Sequence, residues 1–593
     1  MQNHFQNLAG VVALALFGVA GSLRAAEYVV AQNHSQASDD HPGTRDRPWK
    51  TISKAAARVA ASDTVVVHAG TYREQVLVKA SGTGEQPIRF VAAPGDWVVV
   101  TGADRLTGWA KADAARPIFS VAWPHKFIPW NRSMTHPNDE YHAVIGRAEQ
   151  VIVNGYLLRQ VLDREQLAPG TFFADVTNRT LFAWDSANGD LNKAVVEAST
   201  RTEILRVTGE HVHVRGFRFR YAANRAQVGA ITLAGRHDVL EDCVLEDTNA
   251  QGGDFLAADQ TVRRCVFRGH GQFGFSANGA HRLLFTECLV EHNNTKNFER
   301  GWAAGGTKLV LCRDAVIEKS RFLRNRGPGV WFDIGNEHGT VRQCLIADND
   351  DAGIFYEISY GLHAHDNVLV GNGFADTRGA WGAQAAICLS SSPGCVVERN
   401  LMAGNREGFN FREQLRTTPT ISNRTERAVW NHDELIRSNL VVWNRDAQVA
   451  GWFAVDDRRH WPAATVNPAG ASPAGRERAA DLAADYVAKS ADGQPQNLAL
   501  EKLNLHFEGN VYFAGPGQRL FQWGPRWTEH KWFETVEAFR VALGLDRGGR
   551  TLEPKFADWL ARDLRLAANA DPALQRCYPQ GDVPGLGPNR EAR

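Results

Sequence analysis

Short β-rich segments follow one another along the middle of the chain, separated by Gly, Asn and Asp and without a helical period. Eight of them start with Cys, Ser or Asn and carry a polar residue five positions later. They are CVLEDT at Cys243, CVFRGH at Cys265, CLVEHN at Cys288, SRFLRN at Ser320, CLIADN at Cys344, NVLVGN at Asn367, NLMAGN at Asn400 and NLVVWN at Asn439. The steps between them are 22, 23, 32, 24, 23, 33 and 39 residues. A basal period near 23 with occasional insertions predicts a solenoid, here a parallel β-helix.

The repeat also predicts where the cysteines lie. In a parallel β-helix each strand pairs with its equivalent one turn away, so equivalent residues stack in columns. We therefore expect Cys243, Cys265, Cys288 and Cys344 in one inward column as buried thiols. Eight Cys in an exported protein would normally suggest disulfides, and a disulfide between stacked rungs remains an alternative.

Segments that depart from the repeat set the predicted domain boundaries. The amphipathic stretch TISKAAARVA would form a helix that shields the open end of the coil. Hairpin patterns around Asn-Gly and Thr-Asn turns predict an inserted antiparallel β-sandwich-like domain. The predicted organisation is a signal peptide at 1–26, the N-terminal part of the β-helix with its capping helix at 27–106, the insertion at 107–200, the β-helix with catalytic rungs and a side loop near 451–500 at 201–515, and a C-terminal tail packing on the helix at 516–593.

The N-terminal segment and the charge balance restrict location and partners. LAGVVALALFGVAGSL followed by RAAE predicts a secretory signal, with a retained membrane anchor as the alternative. No other stretch is apolar enough to span a membrane, so we expect a secreted or periplasmic protein with no membrane partner after cleavage. The 66 basic and 66 acidic residues cancel, which argues against a nucleic-acid partner.

Two repeats share a carboxylate. GPGVWFDIGN at 327–336 and DAGIFYEISY at 351–360 both read Gly, apolar, aromatic, aromatic, acid, Ile. Asp333 and Glu357 therefore occupy equivalent positions 24 residues apart. Because side chains alternate along a strand, both acids should point outward, together with the aromatic residues Trp331 and Phe355, which would offer faces for a sugar ring.

The predicted spacing of this pair indicates a reaction. Carboxylates one rung apart lie at roughly 5 Å, near the roughly 5–5.5 Å of retaining glycosidases and below the separation in inverting enzymes. Like charges that close cannot both ionise comfortably, so one acid can donate a proton while the other attacks as a carboxylate. Ordinary solvated polar residues on a repeat are the alternative interpretation.

Five further residues are candidates for substrate binding. Lys308 precedes Asp333 by 25 residues and should lie on the neighbouring rung, where a cation could bind a substrate hydroxyl or hold Asp333 ionised. Longer loops before the flanking rungs would wall a cleft with Trp302 and Trp381. Arg412 and Glu413 fall near the same column two rungs on.

At these residues the sequence resembles a known family. GTKL, followed by GPGVWFDIGNEHGTVRQCLIADNDDAGIFYEISYG, is similar to the catalytic stretch of glycoside hydrolase family 120, β-xylosidases built as a right-handed parallel β-helix with an inserted β-sandwich. The resemblance implies that Asp333 is the nucleophile and that Glu357 is the acid/base. From the residues themselves we expect no metal site and no cofactor. Where the chain departs from the family pattern, at DIGNEH and SYG, the substrate is affected more than the chemistry. Glycoside hydrolase family 141 is a more distant resemblance.

The predicted function is a secreted retaining glycoside hydrolase with a carbohydrate substrate from plant or algal oligo- or polysaccharide, β-xylosidase-like in its resemblance. One alternative is a polysaccharide lyase, which would use a Lys or Arg base and Ca²⁺ held by carboxylates; the column offers no third clear acid for such a site. The other alternative is a non-catalytic carbohydrate-binding surface protein.

Overall fold

The fold is a coil of short strands wound into three long sheets. A computed structural model describes residues 25–127, 146–375, 383–414, 416–453, 500–525 and 530–586. Each of the three sheets contains 13 strands, and almost every strand pairs in parallel with its equivalent one turn away. The predicted fold class, an all-β right-handed parallel β-helix, is confirmed.

The first sheet begins near the N-terminal end of the described chain. Its strands, in sheet order, are Glu27–Val30, Thr64–Val67, Ile88–Ala92, Val212–Arg215, Val239–Glu241, Thr261–Arg263, Leu284–Thr286, Val316–Glu318, Thr340–Arg342, His363–His365, Val396–Glu398, Glu434–Arg437 and Leu505–Glu508. The second sheet forms the next face of the same turns. Its strands are Gly70–Tyr72, Val98–Thr101, Phe217–Arg220, Val244–Glu246, Val266–Arg268, Leu289–Glu291, Arg321–Leu323, Leu345–Ala347, Val368–Val370, Leu401–Ala403, Leu440–Val442, Val511–Phe513 and Arg550–Thr551.

The third sheet carries both predicted catalytic acids, and we call it the site sheet. Its strands are Val76–Val78, Leu205–Val207, Gly229–Leu233, Gln251–Phe255, Phe273–Asn278, Gly305–Val310, Val330–Asp333, Ile354–Glu357, Ala385–Ser390, Glu407–Glu413, Ala447–Phe453, Phe521–Pro525 and Lys531–Phe533. The last of these strands runs antiparallel to the strand before it, unlike the rest of the sheet.

Alternation along each site-sheet strand separates an apolar interior from a polar outer face. Leu309, Phe332, Tyr356, Leu389 and Phe411 stack in register on successive strands and are fully buried inside the coil. Burying an aliphatic or aromatic side chain stabilises a fold by roughly 1.5–3 kcal/mol. The residues between them point to the outer face, which is where a site can form.

Ladders of small polar and thiol side chains fill the corners of the coil. In the Asn parts of these ladders each amide oxygen accepts hydrogen bonds from the backbone and side chain of the preceding rung, as Asn349 Oδ1 does from Asn325 at 3.1 and 2.9 Å. The first ladder contains Cys243, Cys265, Cys288, Ser320, Cys344, Asn367, Asn400, Asn439 and Asn510. All eight Cys are free and buried, so the prediction of buried thiols in an inward column is confirmed.

The residue before each position of the first ladder turns the corner with a left-handed backbone. Polar residues hold eight of these positions, and Gly509 holds the ninth; the eight are Asp242, Arg264, Glu287, Lys319, Gln343, Asp366, Arg399 and Ser438. A single residue in this conformation lets the strand change direction within one step of the chain, so the coil keeps sharp corners.

The described residues of 103–127 and 146–199 leave the coil and form two separate sheets with their own core. The four-stranded sheet contains Tyr156–Leu157, Val151–Val153, Val196–Ser199 and Ala103–Leu106; the five-stranded sheet contains Arg159–Val161, Thr171–Asp175, Thr180–Trp184, Phe119–Ala122 and Ala110–Lys111. Almost all of these pairings are antiparallel. Lys296 Nζ of the coil donates to the Arg147 carbonyl at 2.8 Å, and Gln150 donates to the Asp247 carbonyl at 3.1 Å, which holds the insertion against the coil.

Both ends of the coil are covered. The helix Ile52–Ala56, capped by Thr51, packs its buried residues into the first rungs. At the other end the helix Val536–Leu543 places Phe539 against Phe521, with ring centroids 4.3 Å apart. The remaining elements are the helices Arg300–Ala303 and Pro572–Cys577, the 3₁₀ turns Arg164–Gln166, Leu191–Lys193 and Leu500–Lys502, and the strand pairs Arg416–Thr418 with Arg427–Val429 and Phe556–Asp558 with Asp563–Leu566.

Two predicted segments lie largely outside the described residues: the signal peptide, of which only residues 25 and 26 are described, and most of the side loop near 451–500. Among the described residues, none of the helices has the length and apolar character needed to cross a membrane.

Candidate functional site

Neighbouring strands of the site sheet bring the two acids together. Val330–Asp333 pairs with Ile354–Glu357 in the register Trp331 opposite Phe355 and Phe332 opposite Tyr356, so the next pair is Asp333 and Glu357. Parallel strands lie about 4.7–4.9 Å apart, which sets the scale of the separation between the two residues. Both carboxylates are 6 to 7% exposed and stand at the ends of their strands.

Asp333 is held by Lys308. Lys308 Nζ lies 2.8 Å from Asp333 Oδ2 and also donates to the Trp302 carbonyl at 2.7 Å. Burial raises the pKa of Asp333, Lys308 opposes this rise, and the neighbouring Glu357 adds to it. Within the described part of the chain, Asp333 Oδ1 is buried and has no hydrogen-bond partner. A buried polar atom is costly to leave unpaired, so this oxygen is available to an incoming group.

Glu357 is held by two guanidinium groups on one oxygen. Arg412 Nη2 lies 3.1 Å and Arg416 Nη1 2.7 Å from Glu357 Oε1. Both contacts use Oε1, so Oε2 takes no part in either ion pair. Gln414 Oε1 accepts from both arginines at 3.2 and 3.4 Å, which ties the two side chains together.

The aromatic residues beside the acids do not form the open sugar platform that we expected. Trp331 is 1% and Phe355 4% exposed. The two rings stack on each other with centroids 5.4 Å apart, and Lys308 Nζ lies 3.9 Å from the Trp331 centroid. Phe355 lies below Arg412, whose guanidinium carbon is 5.2 Å from its centroid. These rings therefore support the cations, and the expectation of exposed sugar-binding faces is corrected.

The other predicted residues fall in different places. Trp302, in the helix Arg300–Ala303, is half-buried and supplies its carbonyl to Lys308. Trp381 lies outside the described residues. Glu413 is fully buried, and its carboxylate accepts from Ser391 Oγ at 3.3 Å and from the Asn431 backbone at 2.8 Å. Because Arg412 and Glu413 are adjacent on one strand, they point to opposite sides, and only Arg412 reaches the pair.

Arg416 is the site residue that the sequence did not indicate. It begins the strand Arg416–Thr418, which pairs with Arg427–Val429 as a hairpin outside the repeat. The loop of this hairpin docks beside the acids, where the Ile421 backbone donates to Glu337 at 2.7 Å. At Gly335, with φ of +63°, an added Cβ would lie 2.4 Å from the Pro419 carbonyl oxygen. The repeat does not predict the position of this hairpin. Its contacts with Gly335 and Glu337 join residues that are 84 positions apart in the sequence.

A strained corner follows each acid. Ile334 and Ile358 take left-handed backbone conformations with φ of 57° and 39°, and Leu311 does so one rung earlier with φ of 54°. For a β-branched residue this conformation is a genuine outlier that costs on the order of 1–3 kcal/mol. The chain therefore turns away directly after each carboxylate, and both acids end their strands at the same edge of the sheet.

The site combines two acids, Asp333 and Glu357, with three cations. Lys308 contacts Asp333, and Arg412 and Arg416 contact Glu357. Such a group can bind an oxygen-rich ligand and can supply both an ionised carboxylate and a proton donor. Across the described ranges, no group of three or more His, Cys, Asp and Glu side chains could hold a metal ion.

Comparison with known proteins gives a fold likeness over most of the chain. A family model described as a right-handed beta helix region matches residues 229–402. The solved structure of XylC in complex with xylose superposes with a TM-score of 0.60 at 18% identity, covering 84% of this chain and 85% of that one. The predicted resemblance is thereby supported at the level of the fold.

Other matches are weaker or short. A mannuronic acid specific polysaccharide family 6 lyase from human gut microbiota covers 84% of this chain and 82% of that one at 10% identity, with a TM-score of 0.41. An uncharacterized protein of Bacillus subtilis (strain 168), YwoF, is 40% identical over 65 residues, which is 11% of this chain and 14% of that protein. The match therefore spans a small part of that relative.

Proposed function

We propose that the protein is a secreted carbohydrate-active enzyme and, within that class, a retaining glycoside hydrolase of the β-xylosidase-like type. The observation that carries the proposal is the in-register pair of Asp333 and Glu357, in which Asp333 Oδ1 is buried without a partner. An interstrand spacing of about 4.7–4.9 Å suits direct attack on an anomeric carbon, because it leaves little room for a water between acid and sugar.

The mechanism assigns one role to each acid. Asp333 Oδ1 attacks the anomeric carbon while Lys308 holds Oδ2, and Glu357 gives the proton on Oε2 to the leaving oxygen. The bond from the anomeric carbon to the leaving oxygen breaks, and a glycosyl ester forms on Asp333. Glu357 then takes a proton from water, which attacks the same carbon and releases the sugar with its original configuration.

The test is the configuration of the first-formed sugar, followed by proton NMR on a nitrophenyl glycoside selected from a xyloside, arabinoside, fucoside and galactoside screen. We expect net retention. Asp333→Asn should remove turnover of every substrate, since no carboxylate remains to attack. Glu357→Gln should slow poor leaving groups most and should be partly rescued by azide. Inversion, or full activity of Asp333→Asn, would show that the roles are wrong.

A polysaccharide lyase is the second candidate, and the three cations beside the pair favour it. Lys308 could act as a base while Arg412 and Arg416 neutralise a uronate. A lyase releases unsaturated sugars that absorb in the ultraviolet, whereas a hydrolase releases saturated ones. Incubation with acidic polysaccharides, read by absorbance and by reducing ends, separates the two reactions.

A further inference from the structure

The charge of the site exceeds what its two acids can neutralise. Lys308 contacts Asp333, while Arg412 and Arg416 both contact Glu357. Among the described residues of this contact network, three cations therefore face two carboxylates. The burial that raises the pKa of Asp333 works in the same direction, because it favours the neutral form of that acid.

A separate acidic cluster lies at the opposite end of the strand. Arg300 contacts Asp350 and Asp351 at 3.2 and 3.6 Å. Asp351 precedes Glu357 by six residues, which places it roughly 15–20 Å away at about 3.3 Å per residue. Charges separated by more than about 8–10 Å interact weakly at ordinary ionic strength. This cluster therefore does not neutralise the surplus cation.

The two arginines differ in how firmly they are held. Arg412 donates Nε to Ser390 Oγ at 3.0 Å and lies over Phe355. Arg416 is 32% exposed, and in the described part of the chain its polar contacts are Glu357 and Gln414. Arg416 is thus the cation that can move to a ligand with the smallest loss of contacts. Its planar guanidinium matches carboxylate and sulfate groups in two parallel hydrogen bonds.

We propose that Arg416 is a specificity residue that binds one anionic substituent of the sugar, so that the substrates are acidic glycosides. This inference rests on the proposed function and specifies its substrate class. The anionic group is a carboxylate, as in a hexuronic acid, or a sulfate ester, since the same guanidinium accepts either. A ligand charge of minus one brings the site to three cations and three anions.

Binding of the anion also changes the contacts of Glu357. When Arg416 turns toward the substituent, Oε1 loses its 2.7 Å contact and keeps only the 3.1 Å contact with Arg412. Glu357 then faces one cation fewer. A neutral sugar offers no partner for Arg416 and leaves that contact in place.

The experiment uses substrates that differ only in the group carried on C5. The 4-nitrophenyl β-D-xyloside, β-D-glucoside, β-D-glucuronide and β-D-glucoside 6-sulfate share their configuration at C1 to C4. A galactoside and galacturonide pair covers the other common configuration. We expect kcat/KM for the acidic member to exceed that of its neutral partner by about 10–100-fold, the range that hydrogen bonds to a charged group supply.

Arg416→Gln should remove that preference, so the readout is the ratio of acidic to neutral kcat/KM. Arg427→Gln is the matched control, because Arg427 lies on the paired strand of the same hairpin and is exposed. The control should keep the wild-type ratio. A higher ratio for the carboxylate or for the sulfate identifies the source of the charge. An unchanged ratio in Arg416→Gln would overturn the inference.

A binding measurement separates this inference from the proposed function. Calorimetry of free glucuronate, galacturonate and xylose with the Asp333→Asn variant needs no turnover. Uronate binding that disappears on adding Arg416→Gln supports the acidic-ligand assignment even if no glycoside is ever hydrolysed. Retaining hydrolysis of neutral glycosides without any acidic preference, and without uronate binding, would sustain the proposed function and overturn the inference.

Discussion

The interior of the coil and the outer face of the site sheet are built from the same strands but obey different rules. Inside, one position repeats one kind of side chain, as the Asn ladder around Asn349 shows. Outside, a single column reads Ser276, Lys308, Trp331, Phe355 and Cys388, with a new residue on every rung. A stacked interior column is satisfied by repetition, whereas an outer column is free to change wherever chemistry requires it.

Because of this difference, we expect the interior to determine the stability of the fold and the outer face to determine its activity. Each interior rung is bonded to its neighbours, so a change there should lower stability and leave the chemistry of folded molecules unchanged. The outer face near Asp333 is held by residues from other elements, among them the hairpin of Arg416. A change there should alter catalysis more than stability.

Removing an interior amide should give the largest effect on stability. Asn349→Ala leaves the backbone N–H and one side-chain N–H of Asn325 buried without acceptors, while the other side-chain N–H still donates to the Val290 carbonyl. At about 1–3 kcal/mol for each unpaired group, the loss is about 3 kcal/mol or more. The measurement is the urea midpoint. Asn349→Ser should recover part of the loss, because Ser320 fills the same role for Cys288; a midpoint for Asn349→Ala equal to wild type would contradict the ladder as a source of stability.

Displacing the hairpin should come next and should affect activity. Gly335→Ala places a Cβ 2.4 Å from the Pro419 carbonyl oxygen, so the hairpin and Arg416 must shift. We expect kcat/KM to fall about tenfold, since a displacement of about 1 Å near the reacting groups can cost even more. Gly279→Ala is the control, because φ is +67° and nothing lies within 4 Å. Equal activities of the two variants would mean that the hairpin does not position the site.

Removing Lys308, the cation beside the proposed nucleophile Asp333, should move the pH dependence. Lys308 lowers the raised pKa of Asp333, so Lys308→Met should raise that pKa further. Because the nucleophile must be ionised, the acid limb of kcat/KM should move to higher pH, by on the order of 1 unit. Lys319→Met, at an exposed lysine, should leave the limb in place. An acid limb that moves to lower pH in Lys308→Met would contradict the ion pair.

The smallest effect on stability is expected at a corner of the coil, at the residue that precedes a position of the first ladder. Lys319 is exposed and takes φ of 49°, so Lys319→Ile places a β-branched side chain in the left-handed conformation. We expect a loss of about 1 kcal/mol in the free energy of unfolding, without loss of activity. Lys319→Asn should be neutral, because Asn tolerates this conformation. A drop in activity for Lys319→Ile would show that the first-ladder corners also influence the site.

The sequence predicts those features of the structure that follow directly from its repeat. Cys243 and its equivalents signal the period, and the period places Asp333 beside Glu357 because both follow their ladder positions by the same number of residues. The orientation of Trp331 and Phe355 also follows from alternation, but their burial does not, since Lys308 and Arg412 cover them. The position of Arg416 could not be predicted either, because its strand lies outside the repeat. That strand is placed by contacts between distant parts of the chain, such as Ile421 with Glu337.

The antiparallel strand Lys531–Phe533 has a consequence for the behaviour of the protein in concentrated solution. A parallel coil ends in three rows of unpaired N–H and carbonyl groups, which are templates for another chain. On the site sheet this row is taken by a strand of reversed direction, and the helix Val536–Leu543 covers the core behind it. The reversed strand cannot continue the parallel register, so a second coil cannot extend this sheet by the same parallel pairing.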